Sequence, residues 1–127
     1  MGAAVSINLV SRNNDKVRGL IIENTFLSIP RLMPDLSVLL YTFIPIMNQI
    51  LDSASDIQRI TTPILFLSGS ADKFIPPAHM IELHEIARRT NPRCTFVTFP
   101  NGGHADTSRM PGYFESILRF ITNTSEV

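Results

Sequence analysis

The chain has 127 residues, which is the size of one small domain. Hydrophobic residues make up 44% of it and charged residues 17%, a balance that favours a packed globular domain over a disordered segment. Eleven basic and eleven acidic residues cancel, so the composition gives no electrostatic reason to expect nucleic acid as a partner. A single cysteine excludes an internal disulfide and suits a reducing compartment.

The first segments predict a helix and then a strand. An apolar stripe at helical spacing runs along residues 3–10, and residues 12–15 (RNND) provide a helix stop. Residues 17–24 (VRGLIIEN) have the apolar centre of a strand that is covered on both faces. Residues 36–51 are the most apolar stretch, but they fall short of the roughly 18–20 continuous apolar residues that a membrane span needs. We interpret them as a buried or lid-forming helical segment, with a membrane span as the less favoured alternative.

The second half of the chain alternates strands with helices. Residues 63–69 (PILFLSG) and 94–100 (CTFVTFP) predict strands, and Cys94 is expected to be a buried thiol. Residues 78–90 and 113–121 have helical spacing, the latter with an apolar stripe formed by Phe114, Ile117, Leu118 and Ile121. Strands that alternate with helices pair in parallel through right-handed crossovers. The sequence therefore predicts an α/β fold, with three parallel strands and flanking helices.

Two loops after the second and third predicted strands carry the most informative residues. Asp72 lies just past one strand, and His104 follows Gly102 and Gly103 after the next. Parallel sheets bind ligands at the carboxyl ends of their strands, so we expect both side chains at one edge. An aspartate bound to one imidazole nitrogen leaves the other as a general base. Singly, each residue fits a turn or an exposed loop; together they predict the acid and base of a triad. The two glycines before His104 are expected to permit the backbone conformations that a tight exposed loop needs.

Two segments carry a resemblance to a known family. SGSADKFIPP (68–77) and FPNGGHADT (99–107) resemble the acid and histidine segments of the α/β-hydrolase superfamily. More narrowly, they resemble the Bem-like branch of α/β-hydrolase domain-containing proteins, which is related to prolyl-oligopeptidase-type serine hydrolases. The resemblance covers nearly the whole chain but only the C-terminal half of the family's domain. It implies a partial α/β-hydrolase fold, catalytic Asp72 and His104, a cap insertion over residues 28–55, and cofactor-free cleavage of an ester, thioester or amide.

The nucleophile elbow of that family, G-x-S-x-G, occurs nowhere in the sequence. MGAAVSINLV is similar to the segment directly after the family's serine, so that Met1 would be the residue next to the serine and Gly2 would end the motif. The Met1 backbone amide would then be an oxyanion-hole donor only in a chain extended upstream. We therefore expect a truncated and inactive form, whose full-length parent acts on a small acyl substrate. Met33 and Met47 in the cap are candidates for an acyl pocket, against core filling as the default.

Other hypotheses stay open at this point. An open apolar edge between Val17 and Asn24 would make the chain a non-catalytic interaction module, through self-association or a strand supplied by a partner. A complete small domain with an unrelated ligand is a third interpretation. HMIELH (79–84) has one residue too many for the zinc pattern H-x-x-E-H, so no metal site is expected. Asp106 is an alternative acid, although capping a helix or ordering the histidine loop is its favoured role.

The sequence leaves localisation open. No signal peptide pattern precedes the first predicted helix. The cysteine usage favours an intracellular protein. Relatives in the branch that the chain resembles often carry an N-terminal membrane anchor, so membrane association through such an anchor is the alternative.

Overall fold

The computed structural model describes residues 2–28 and 52–125. Three strands form one parallel sheet in the order β1-β2-β3, which confirms the predicted α/β class. Helices precede, separate and follow the strands along the chain, in the order α1 (Gly2–Ser11), β1 (Leu20–Glu23), α2 (Ser53–Ile57), β2 (Ile64–Gly69), α3 (Ala78–Arg88), β3 (Cys94–Phe99) and α4 (Tyr113–Ser125).

The first two strands begin slightly later than the sequence predicted, whereas β3 begins at Cys94 as predicted. β1 starts at Leu20 rather than at Val17, and β2 starts at Ile64. Pro63 has no N–H and cannot donate to the ladder, although its carbonyl accepts the Leu20 N–H at 2.9 Å. All six residues of β2 are buried, as expected for the central strand of a parallel sheet.

Each face of the sheet is covered by helices. On one face, α1, α2 and α3 pack over a buried cluster that contains Ile7, Ile22, Phe66 and Leu83. On the other face, α4 packs over Leu65, Leu67 and Phe99, the last of which contacts Tyr113 at the start of that helix. Residues that alternate along β2 therefore serve two separate clusters, which explains why the strand is continuously apolar.

The last helix is only partly seated on the sheet. Ile117 and Phe120 pack against the second cluster, whereas Phe114, Leu118 and Ile121 are exposed. Much of the predicted apolar stripe thus faces away from the described core, because the helix contacts the sheet through its Ile117–Phe120 side. Within the two described ranges, no helix is both long enough and apolar enough to cross a bilayer.

Candidate active site

Asp72 occupies the turn after β2 and is held there by its own loop. Its side chain is 1% exposed. The Oδ1 atom accepts hydrogen bonds from the backbone N–H groups of Phe74 at 2.8 Å and Ile75 at 2.9 Å. Aspartate favours such turns because its short side chain reaches amides a few residues further on. These two bonds fix the carboxylate and leave Oδ2 for another partner.

The loop that follows β3 lies directly against the loop of Asp72. Ala71 donates its N–H to the Gly102 carbonyl at 2.9 Å. A Cβ atom on Gly69 would lie only 2.4 Å from that same carbonyl oxygen, so this approach requires glycine. Gly112 is the described glycine with a positive φ, so neither Gly102 nor Gly103 adopts the left-handed region. Gly102 serves the close contact between the two loops instead.

His104 and Asp72 meet between these loops. The distance from His104 Nδ1 to Asp72 Oδ2 is 2.8 Å, and the imidazole side chain is 41% exposed. The exposed ring of Phe74 lies beside it, with ring centroids 5.7 Å apart. Nδ1 is thus tied to a buried carboxylate, while the described residues form no hydrogen bond to Nε2. A histidine held through one nitrogen in this way can exchange a proton through the other.

A third strand end contributes a residue that the sequence analysis did not single out. Asn24 follows β1, is 5% exposed, and forms hydrogen bonds with both loops. Its Oδ1 accepts the Gly69 N–H at 2.8 Å, and its Nδ2 donates to Thr107 Oγ1 at 2.9 Å. The position of Asn24 in the sequence could have identified it, since β1 ends at the same sheet edge as the strands that carry Asp72 and His104.

Of the remaining predicted site residues, Asp106 is the one that the structure describes, and it has a different role. Asp106 Oδ1 accepts the Gly103 N–H at 2.6 Å, so this carboxylate orders the histidine loop. Met1, Met33 and Met47 lie outside the described residues, as does most of the predicted cap over residues 28–55. The end of that segment forms α2, which begins after Asp52 and is capped by its side chain.

The two histidines of HMIELH point to separate environments. His79 Nδ1 accepts the Leu27 N–H at 3.4 Å. His84 packs against the rings of Phe66 and Phe96, with centroid distances of 5.1 Å to each, and burial lowers its pKa. Across residues 2–28 and 52–125, no group of three or more histidine, cysteine or acidic side chains could hold a metal ion.

A cavity of about 580 Å³ lies at the opposite ends of the strands. It is lined by residues that precede the strands, including Pro63 and Arg93, and by residues of α4 such as Phe120. Cys94 also lines it, and burial raises the pKa of this half-buried thiol to about 11. None of the residues that form the Asp72–His104 site lines this cavity.

Comparison with known proteins shows what the chain as a whole is similar to. The chain is 39% identical to the α/β hydrolase domain-containing protein WAV2 of Arabidopsis thaliana, over 95% of this chain and 44% of that protein. It is 35% identical to protein bem46 of Schizosaccharomyces pombe, over 95% of this chain and 40% of that protein. The Pyrococcus furiosus esterase Pf2001 superposes with a TM-score of 0.75 at 15% identity, covering 98% of this chain and 51% of that structure.

These likenesses define an α/β-hydrolase fold of which this chain carries part. The structural likeness at 15% identity concerns the fold alone. The dienelactone hydrolase family matches residues 25–116, which is more than half of the chain, so the protein belongs to that family. The resemblance to α/β-hydrolase domain-containing proteins is confirmed by WAV2 and bem46. The chain spans less than half the length of these two curated relatives.

Proposed function

We propose that Asp72 and His104 are the acid and the base of a Ser-Asp-His hydrolase. One observation carries the proposal: His104 Nδ1 lies 2.8 Å from Oδ2 of a carboxylate whose side chain is 1% exposed. A buried carboxylate in this position holds the imidazole in the tautomer with a proton on Nδ1. Nε2 then carries the lone pair, on an imidazole side chain that is 41% exposed. Membership of a hydrolase family supports the same chemistry.

In the proposed reaction, His104 acts first as a base and then as an acid. Nε2 takes the proton of a serine hydroxyl while the serine oxygen forms a bond to the acyl carbon. The imidazolium then returns that proton to the leaving alcohol, thiol or amine as its bond to the acyl carbon breaks. Water repeats the sequence and releases the acid. Asp72 stabilises the imidazolium without taking a proton, supported by the two amides on its Oδ1.

We propose that the nucleophile is not part of this chain. No G-x-S-x-G segment is present in the 127 residues. Within the described ranges, no serine hydroxyl is hydrogen bonded to His104. Loss of a triad nucleophile costs about a millionfold in kcat, so the chain alone should be inactive while its longer parent cleaves an ester, thioester or amide. Exposed Phe74 beside His104 offers an apolar contact to the acyl group.

Labelling with a fluorophosphonate probe tests this proposal. The chain alone should remain unlabelled, and labelling at any of its serines would contradict the absence of a nucleophile. Fusing an upstream segment that supplies the strand and the G-x-S elbow should give labelling. His104→Gln should abolish that labelling, whereas Asp106→Asn, a change in the same loop, should leave it. Labelling that survives His104→Gln would refute the role of the base.

A second candidate function is a non-catalytic interaction module. β1 pairs only with β2 among the described strands, so no described strand pairs with the other side of the segment between Val17 and Asn24. Ile21 at this edge is exposed, and such an edge can accept a strand from another copy or from a partner. Light scattering after size-exclusion chromatography tests it. A monomer with slow amide exchange at residues 20–22 would argue against an edge-driven association.

A further inference from the structure

The backbone of Asn24 adopts a conformation that few residues tolerate. Its φ is 43°, which is in the left-handed region, and it is the non-glycine residue with a positive φ among the residues described. Asparagine is among the residues that visit this region most readily. Such a conformation persists when surrounding contacts hold it in place. The contacts of the Asn24 side chain therefore indicate what the conformation serves.

Both ends of the Asn24 amide are used, and each end holds a different loop. Oδ1 accepts the N–H of Gly69, the last residue of β2 before the turn that carries Asp72. Nδ2 has three oxygen atoms of the histidine loop within reach: Thr107 Oγ1 at 2.9 Å, and the carbonyls of Gly103 and His104 at 3.3 Å each. One buried side chain thus joins the acid loop to the backbone of His104 itself.

The histidine loop has a further internal bond at the same point. Thr107 is fully buried, and its Oγ1 donates to the Gly103 carbonyl at 2.6 Å while it accepts from Asn24. The loop is therefore a closed turn, and Asn24 fastens that turn as a unit to the end of β2. Because the turn is closed, a shift at the Asn24 contact moves the backbone of His104 with it.

We propose that Asn24 is a positioning residue that sets the separation of the two loops and thereby the contact between His104 and Asp72. It acts through the backbone, since its side chain binds the His104 carbonyl and not the imidazole. The use of that contact in catalysis rests on the proposed function. The positioning itself is a property of this chain and needs neither a nucleophile nor a substrate.

Asn91 provides a matched control elsewhere in the same sheet. It is also buried, its Nδ2 donates to the Ile60 and Thr62 carbonyls, and its Oδ1 accepts the Arg93 N–H. It thus ties together the connections that precede β2 and β3, at the opposite end of the strands from His104. Removing either buried side chain deletes three or more hydrogen bonds, but only Asn24 adjoins the Asp72–His104 pair.

The experiment compares Asn24→Ala and Asn24→Gly with Asn91→Ala in this chain. Glycine removes the side chain but adopts a positive φ without strain, so it separates the amide contacts from the backbone effect. The readout is the downfield proton resonance of His104 Nδ1–H in water, assigned by its absence in His104→Gln. Urea unfolding of each variant shows whether the fold is retained.

We expect the Nδ1–H resonance to persist in Asn91→Ala and to be lost in both Asn24 variants, although all three retain cooperative unfolding. An unchanged resonance in Asn24→Gly would overturn the proposal, as would its equal loss in Asn91→Ala. If Asn24→Ala does not fold, Asn24→Asp replaces it, since its carboxylate can still accept the Gly69 N–H but has no N–H to donate to the carbonyls of Gly103 and His104. The outcome is independent of labelling, so failure of the proposed function would leave it standing.

Discussion

Replacing Asp72 by asparagine should reverse the tautomer of His104 while the fold is retained. Two backbone N–H groups, of Phe74 and Ile75, point at Oδ1. The asparagine amide can meet both only with its oxygen, so its NH₂ group must face His104 Nδ1. Nδ1 then accepts a hydrogen bond, and the imidazole proton moves to Nε2. The nitrogen proposed to act as the base is thereby blocked.

The cost in stability can be worked from the same contacts. Hydrogen bonds to a charged group contribute about 1.5–3 kcal/mol, and neutral ones about 0.5–1.5 kcal/mol. Asp72→Asn keeps the three bonds of the carboxylate but removes their charge, which is a loss of about 3 kcal/mol on this scale. A neutral amide is cheaper to bury than a carboxylate, so the net destabilisation should be about 2 kcal/mol. For a domain of this size, that lowers Tm by about 8 °C.

Long-range proton–nitrogen NMR correlations of the imidazole identify the tautomer, and urea unfolding measures the loss of stability. Asp106→Asn is the matched control, because Asp106 follows His104 by two residues but binds the Gly103 N–H instead. It should leave the proton on Nδ1. The reasoning is refuted if His104 keeps its Nδ1 proton in Asp72→Asn, or if Asp106→Asn switches the tautomer equally.

Two further predictions concern ionisable groups outside the pair. Burial lowers the pKa of His84, so below the ordinary histidine value of about 6.5 the unfolded chain takes up a proton that the folded chain resists. Stability should therefore fall as pH drops through this region, and His84→Leu should flatten the fall in urea midpoints measured between about pH 7 and pH 5. Burial and the hydrogen bond to Glu23 raise the pKa of Tyr113 to about 12. Glu23→Gln should lower that pKa in an absorbance titration of a Tyr41→Phe background, and an unchanged titration would show that burial alone sets it.

The sheet and the positions of Asp72 and His104 could be predicted from the sequence for a physical reason. β2 is buried on both faces, so its apolar residues form a continuous run and not the spacing of an amphipathic helix. Once parallel pairing is inferred, the ends of β2 and β3 must lie together, and polar residues just past them share one edge. The topology thus predicts that the two side chains lie at one edge, whereas the 2.8 Å contact between them depends on the conformation of the two loops.

The roles of Asn24 and Gly102 could not be predicted from the sequence in the same way. Asparagine after a strand is typical of an ordinary turn, and its partners lie 45 to 83 residues away, so no local pattern identifies them. Gly102 was interpreted through the backbone conformations that a tight loop needs, because local sequence indicates conformation better than it indicates contacts. Its actual neighbour, Gly69, approaches from another strand end. The sequence also did not predict that part of the apolar stripe on α4 is exposed. Spacing predicts which residues share a face of a helix, but not what covers that face.

The two ends of the sheet differ in the backbone conformation of the asparagine that ties their loops together. Asn91 and Asn24 make similar hydrogen bonds from buried side chains, yet only Asn24 has a positive φ. Anchoring loops therefore does not by itself require this conformation. At the end that carries Asp72 and His104, the chain must turn sharply after β1 so that one amide reaches both loops. The alignment of the two side chains is thus built from three strand ends within this chain. In the proposed reaction, a nucleophile delivered to Nε2 would meet a base that is already oriented.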